Sequence, residues 1–344
     1  MFDTTSPKDW KMEYTSLGGT GLQVSRINYF DNAEAYGNPR GNCEILFGEA
    51  LKQLQKTDPY LYRRTDLVIT TKFFWAPSGH PQSIQRRFDY SYNGINEYGT
   101  SRKHIMESID KSLKRLQLDY IDVVYAHRFD ALTPVLEVVR AFTDVVKSGK
   151  AHYWGTSMWP SWRIIQAFHL AQQYNLIPPI VEQPKYNLFD RHYVEDHYLP
   201  VFDHPYNIGT TIWGALDGGI LSGKYNSGEV PKGSRLDKAS RLTFFDPNIP
   251  KHKLEKLQKL QLIAQRLETT VSVLSIAWCL KNKHVSVVLL GATKASQLET
   301  FAAIKVQDKL TPSIMQEIEE IIQNKPKLDT NLYGPFFRIP NARL

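Results

Sequence analysis

The sequence predicts an α/β protein folded as a (β/α)8 TIM-type barrel, and three observations carry that prediction. Short runs rich in apolar residues recur along the chain, and they are nearly continuous rather than alternating, as in strands buried on both faces. Amphipathic segments of helical period lie between them. The repeat is about 30 residues, which suits eight units in a barrel of about 250 residues. Alternating β and α units imply parallel strands with right-handed crossovers, and 344 residues can hold such a barrel as one domain. A doubly wound sheet would carry G-x-G-x-x-G after its first strand. Here Gly18-Gly19-Thr20-Gly21 reads as the turn of a hairpin between 12–17 and 22–27.

Taken in order, the strand-like runs are 27–30, 67–71, 120–126, 152–156, 180–183, 210–213 and 285–290. Ser101 is placed to cap a helix whose Ile105, Ile109, Leu113 and Leu116 share one face. Thr133-Pro134 reads as an N-cap followed by a first helical proline, with Gly149 as the stop. The stripe of that helix is Val135, Val138, Phe142 and Val145. A further helix over 162–176 carries Ile164, Phe168 and Ala171 on one side. Leu254, Leu257, Leu260 and Ile263 begin another. Thr311-Pro312 starts the last helix, with Ile314, Ile318 and Ile321 facing inward. Segments 76–100 and 226–249 follow strands, lack periodicity and read as loops. The domain is expected over 12–327, with flexible tails at 1–11 and 328–344.

Composition narrows the function classes. Hydrophobic residues make up 42% and charged residues 22%, as in a globular protein, and mean hydropathy is −0.38. The net charge of +7 is spread along the chain rather than gathered into a stripe, so no nucleic-acid partner is expected. No apolar run approaches the ~20 residues of a membrane span, and the N-terminus shows no secretory h-region. Cys43 and Cys279 form no CxxC pair, so no metal site is expected, and so few cysteines fit a reducing, cytoplasmic setting.

In a parallel barrel, reactive groups sit at the carboxyl ends of strands. Asp31 ends the first run and Tyr36 follows it, Lys72 ends the second, and His127 ends the third. Alone, each has a bland reading: a cap, a loop aromatic, a rim charge, a satisfied histidine. Together on one face they make a set for carbonyl reduction, which needs a hydride at carbon and a proton at oxygen. A free phenol, with a pKa of about 10, is a poor acid near neutrality, and a neighbouring ammonium favours its ionised form. Lys72 can supply that ammonium to Tyr36, Asp31 can hold Lys72, and His127 can hydrogen-bond the carbonyl oxygen. The hydride belongs to a cofactor.

The runs FDNAEAYG (30–37), ITTK (69–72) and DYIDVVYAHR (119–128) resemble the aldo-keto reductases. WGTS (154–157), EQPKYNLF (182–189), GILSGKY (219–225), SIAWCL (275–280) and VLLGAT (288–293) narrow the resemblance to the branch that contains the cytosolic β subunits of voltage-gated potassium channels. The resemblance implies a catalytic tetrad of Asp31, Tyr36, Lys72 and His127. It implies that Ser157 and Gln183 hold a nicotinamide carboxamide, and that Trp213, Leu216 and Gly291 line the cofactor. Lys224, Ser234, Arg235, Thr293 and Gln297 would surround an adenosine 2′-phosphate, which makes NADPH the implied cofactor and a small carbonyl compound the implied substrate. A potassium channel α subunit and a homotetramer are the partners the branch implies, and three roles stay open: reductase, channel subunit, and an inactive form.

The chain departs from the pattern in three places. The family places a complete βα unit of about 30 residues between the hairpin and FDNAEAYG, and here 25–27 run straight into 28–31, so the barrel is expected to lack its first βα unit. Such a barrel leaves two strand edges unpaired. Trp213-Gly214-Ala215-Leu216-Asp217 stands where the family reads W-S-P-L-A, which is expected to set a negative charge near the cofactor's pyrophosphate. Thr300-Phe301 replaces a Glu-Asn pair, and Met158 a polar or basic residue.

Overall fold

The computed structural model describes residues 14–25, 29–60, 62–75, 96–227, 229–232, 234, 237, 250–292 and 294–327. Both expected tails, most of the loops at 76–100 and 226–249, and two candidate site residues, Arg235 and Thr293, lie outside them.

The chain opens with the expected hairpin. Strands β1 (Tyr14–Ser16) and β2 (Gln23–Ser25) pair antiparallel, with Thr15 opposite Val24. Seven strands then form one parallel sheet in chain order: β3 (Tyr29–Asp31), β4 (Val68–Phe73), β5 (Ile121–Ala126), β6 (Ala151–Thr156), β7 (Val181–Glu182), β8 (Gly209–Ile212) and β9 (Val287–Val288). Each falls within or beside a run singled out by its continuous apolar character. The sheet is a barrel of (β/α)8 type, and among the described residues no ladder joins β9 to β3. Only residues 26–28 separate β2 from β3, too few for a strand and a helix. The missing unit is therefore the first one.

Helices cover the outer face: α1 (Asn42–Thr57), α2 (Arg102–Leu116), α3 (Val135–Lys147), α4 (Ser161–Gln173), α5 (Lys251–Arg266), α6 (Val271–Lys281) and α7 (Pro312–Ile322). The Ser101 hydroxyl caps α2 by accepting from the His104 amide, and Ile105, Ile109, Leu113 and Leu116 are buried as their spacing requires. Thr133 is not the cap of α3. Pro134 occupies that position, and the Thr133 hydroxyl donates instead to Asp130 Oδ2 at 2.7 Å. Thr311 does cap α7, but its fully buried residues are Ile318 and Ile322, while Ile314 and Ile321 are half-buried. The apolar stripes of α1 and α6 do not announce them. In α1 the buried positions are Glu44, Gly48 and Leu51, whereas Leu46 and Leu54 are exposed. In α6 nine consecutive or near-consecutive residues are buried, so there is no periodicity to read.

Two cores result. The larger lies between sheet and helices, where Phe142 of α3 stacks on Trp154 of β6 with ring centroids 5.0 Å apart. The smaller fills the barrel near the strand starts and comprises Leu17, Val24, Tyr29, Val68, Val123, Tyr125, Val181 and Val287. Leu17 and Val24 come from the hairpin, which closes that end. Gly18 makes this closure feasible: its φ is +59°, and an added Cβ would meet Ile180 O at 2.5 Å and Asn207 O at 2.7 Å. With one end sealed, a reacting molecule has access from the other, where β3, β4 and β5 end.

Candidate active site

Asp31 is the last residue of β3, and Lys72 lies near the end of β4. Their pairing across adjacent parallel strands puts Lys72 Nζ 2.5 Å from Asp31 Oδ2 and 2.7 Å from Asn32 O. Asp31 Oδ1 accepts from the Thr70 hydroxyl at 2.9 Å and from Gln183 Nε2 at 3.1 Å. The lysine is fully buried. Burial alone would drive its proton off, but the Asp31 carboxylate and then Tyr36 outweigh burial, and the Lys72 pKa is raised. Lys72 is therefore a fixed ammonium.

Tyr36 reaches this charge from the segment after β3. Asn32 N donates to Thr70 O and Glu34 N to Lys72 O, which continues the β3–β4 pairing one turn past the strand. The buried Glu34 carboxylate then accepts from Phe74 N at 2.7 Å and contacts His104 Nε2 at 3.0 Å. Gly37, at φ +100°, lets the chain reverse, so that the Gly41 amide returns to Tyr36 O. The phenol ring ends 4.5 Å from Lys72 Nζ, and its centroid lies 5.8 Å from that of His127 in an edge arrangement. His127, placed by the bond from its amide to Phe73 O, is buried. All four residues expected from the strand ends thus converge.

Ser157 and Gln183 join the same rim. Ser157 Oγ donates to Gln183 O at 2.9 Å, and Arg128 Nη1 lies 3.3 Å from Ser157 Oγ. Trp213 follows β8 and bridges to Lys185, and Leu216 packs against the main core. Lys224 is exposed, with its Nζ 5.0 Å from the Tyr225 ring centroid. The Ser234 hydroxyl accepts from Asp237 N. Gln297 reaches back to Lys294 N at the start of the turn Ala295–Ala302. Gly291 is exposed, and a Cβ there would meet nothing within 4 Å. Of these positions, Gln183 bonds directly to the tetrad, through Asp31.

The expectation for Asp217 needs correcting. It does not offer free negative charge: it is buried, with Oδ2 2.6 Å from Lys253 Nζ and Oδ1 3.5 Å from Lys185 Nζ. Two ammonium groups neutralise it, and its φ of +45° sets the sharp turn into Gly218 and Gly219.

Sequence reasoning also missed Glu182. It is fully buried on the helix side of β7, accepts from the Thr156 hydroxyl at 2.5 Å and the Tyr198 hydroxyl at 3.2 Å, and takes the Met158 amide. Burial pushes its carboxyl up to about 7 in spite of those donors. A carboxylate inside a strand that is otherwise apolar was the signal available.

A buried lysine clamped by a carboxylate thus faces a phenol at the barrel rim, and comparison with known proteins sets the kinship. The Aldo/keto reductase family pattern matches residues 25–323. The chain belongs to the aldo/keto reductase family. Among curated relatives, it is 40% identical over 346 aligned positions to the probable voltage-gated potassium channel subunit beta of Arabidopsis thaliana, covering 92% of this chain and 98% of the relative. It is 39% identical to the protein of the same description from Oryza sativa subsp. japonica, with the same coverage. It is 43% identical over 304 positions to the putative voltage-gated potassium channel subunit beta of Schizosaccharomyces pombe, covering 87% of this chain and 81% of the relative. In the first of these, 346 aligned positions take in only 92% of 344 residues, so about thirty positions of the plant protein face a gap in this reductase-family chain. That is the size of one βα unit.

Proposed function

We propose that the protein reduces aldehydes or ketones to alcohols with NADPH, using Tyr36 as the general acid. The observation that carries this reading is the fully buried Lys72 ammonium, held 2.5 Å from Asp31 and 4.5 Å from the Tyr36 ring. NADPH, when bound, supplies the hydride that reaches the carbonyl carbon. Tyr36 gives its hydroxyl proton to the carbonyl oxygen as charge builds there. Lys72 stabilises the phenolate left behind, and Asp31 keeps Lys72 from moving towards solvent. His127 hydrogen-bonds the same carbonyl oxygen and orients it. The proton lost by Tyr36 is restored from solvent, so each turnover consumes one NADPH and one proton.

The residues present fit that cofactor. Ser157 and Gln183 stand beside Asp31 and can hold a carboxamide. Lys224 is an exposed cation suited to a dianionic phosphate, and the open space over Gly291 leaves room for a ligand to lie against backbone. Ser234, Gln297, Arg235 and Thr293 complete the proposed 2′-phosphate site, and Trp213 and Leu216 line the path between. Residues 12–327 constitute the domain in this reading.

The direct test mixes the purified protein with NADPH and an activated aromatic aldehyde and follows the absorbance of the reduced cofactor. Tyr36→Phe should lose turnover by about 10²–10⁴-fold while binding NADPH as before. Equal rates in the two proteins would overturn the mechanism.

The names of the relatives favour a second role for the same chain, as a cytoplasmic β subunit on a potassium channel α subunit. Co-purification with a channel's cytoplasmic domain, as a homotetramer, supports it. A monomer that fails to co-purify removes it.

A further inference from the structure

We propose that His192, Asp196 and His197 form a surface binding site for a divalent late first-row metal ion such as Zn²⁺. The three residues lie in the crossover between β7 and β8, Asp196 and His197 on the turn Tyr193–His197 and His192 at its N-terminal cap. One ligand atom from each falls within 4.8 Å of the other two. His192 Nδ1 is 3.1 Å from Asp196 Oδ2, close to the ~3.4 Å that separates two ligands held at about 2.1 Å by a tetrahedral ion. The two imidazole rings lie with centroids 4.0 Å apart. The donor set of two imidazoles and one carboxylate leaves a fourth position for water and suits zinc, copper or nickel, not magnesium or calcium.

Backbone geometry makes the grouping notable. In an α-helix, residues five apart point about 140° away from each other. Here the turn is a π-helix, closed by the bond from Tyr198 N to Tyr193 O at 2.9 Å. Its extra residue per turn brings His197 over His192. Such turns are rare and concentrate at functional sites.

The turn is also held in place from beneath. Arg191, buried, forks onto Glu195 within the turn and reaches Glu319 of α7 at 2.6 Å. At the other end, the Tyr198 hydroxyl donates to Trp159 O at 2.8 Å and contacts Glu182. The inward residues Arg191, Val194 and Tyr198 thus fix the backbone, while His192 and His197 stay exposed. A fixed scaffold bearing exposed ligands is a preorganised site. The sequence reading, which sought cysteine pairs, expected no metal, because i, i+4, i+5 spacing points to one site only when the turn is wide.

Calorimetric titration of the metal-free full-length chain with zinc chloride tests this. The wild type should bind one equivalent at this site, and excess Mg²⁺ should not displace it. Loss of a group that only hydrogen-bonds a metal ligand typically weakens metal binding about 10–100-fold, so His192→Ala and His197→Ala should each weaken it at least about tenfold, and Asp196→Asn measurably. Diffraction at the zinc edge should show a peak between the three side chains. Variants that titrate like the wild type, zinc density confined to other residues, or equal competition by Mg²⁺ would each overturn the assignment. Both histidines are exposed, so the variants should melt close to the wild type.

Discussion

The two halves of the barrel are built differently. Strands β4, β5 and β6 are six residues each and pair over four or five positions, whereas β7 and β9 are two residues long and β8 four, paired over one or two. Lys72 and His127 grow from the long-strand half, and Asp31 ends the three-residue strand β3 that pairs with β4. Trp213, Leu216, Lys224, Ser234, Gly291 and Gln297 sit on segments after the short strands. The division matches what the proposed function would ask of each half. In the proposed mechanism proton transfer tolerates little misplacement, so Lys72 and His127 belong on or beside long, paired strands. Cofactor recognition depends on loops that can settle around a ligand. The halves should therefore respond differently to substitution.

Lys72→Met should be the most damaging single change, because it removes a fully buried ammonium that lies against both Asp31 and the Tyr36 ring. It leaves the Asp31 carboxylate, 13% exposed, facing only Thr70 and Gln183. Breaking a buried pair by removing one partner costs about 3–5 kcal/mol, and turnover should fall by about 10²–10⁴-fold. Urea unfolding and steady-state rates measure the two losses. Full stability in the variant would mean that the pair does not anchor this half.

Glu182 stands where the halves meet. Its carboxyl is raised from 4.5 to about 7, so between those values the folded state holds more protons than the unfolded one, and stability falls as pH rises through that window. Glu182→Gln removes this slope. Relative to the wild type, the variant should gain on the order of 1–3 kcal/mol between pH 5 and pH 8, read from urea midpoints. Parallel pH profiles for the two proteins would show that Glu182 does not titrate there.

This same division governs what could be read from the sequence. All seven barrel strands were legible because burial on both faces makes them continuously apolar. Asp31, Lys72 and His127 followed from strand ends alone. The proposed cofactor positions did not: Lys224 or Gln297 is unremarkable without a family resemblance, because loop sequence does not specify loop shape. Helix α1 was hidden because a buried Glu44, satisfied by Arg115 and Thr71, takes the place of an apolar residue. Helix α6 was hidden because it is apolar all round. Asp217 misled for a third reason: its neutralising partners Lys185 and Lys253 lie 32 and 36 residues away in sequence and only folding brings them to it.

Two glycines sharpen the contrast on a smaller scale. At Gly155 in β6, an added Cβ would lie 2.5 Å from both Val181 Cγ1 and Val181 O and 3.1 Å from the Tyr125 ring. Backbone cannot yield there, so Gly155→Ala should destabilise by about 1–3 kcal/mol. At Gly291 the same methyl meets nothing, so Gly291→Ala should stay within about 0.5 kcal/mol of the wild type. If Gly291 lines the cofactor, that silent change should still weaken NADPH binding. Thermal melts and cofactor titration on the two variants separate a packing glycine from a recognition glycine.

The smallest expected effect tests the loop half by itself. Lys224 is exposed, with its Nζ 5.0 Å from the Tyr225 ring centroid, so Lys224→Ala should leave stability nearly unchanged. A charge-assisted contact to a phosphate contributes about 1.5–3 kcal/mol, reduced at an exposed position by solvent and salt. The expected outcome is a loss of about tenfold in NADPH affinity, at 1.4 kcal/mol per decade, shrinking as ionic strength rises. NADH, which lacks the 2′-phosphate, should bind the variant and the wild type alike. The comparison of the two cofactors carries the argument: an equal loss for both would mean that Lys224 supports the loop rather than reading the phosphate, and the preference for NADPH would then have to come from elsewhere on the short-strand side.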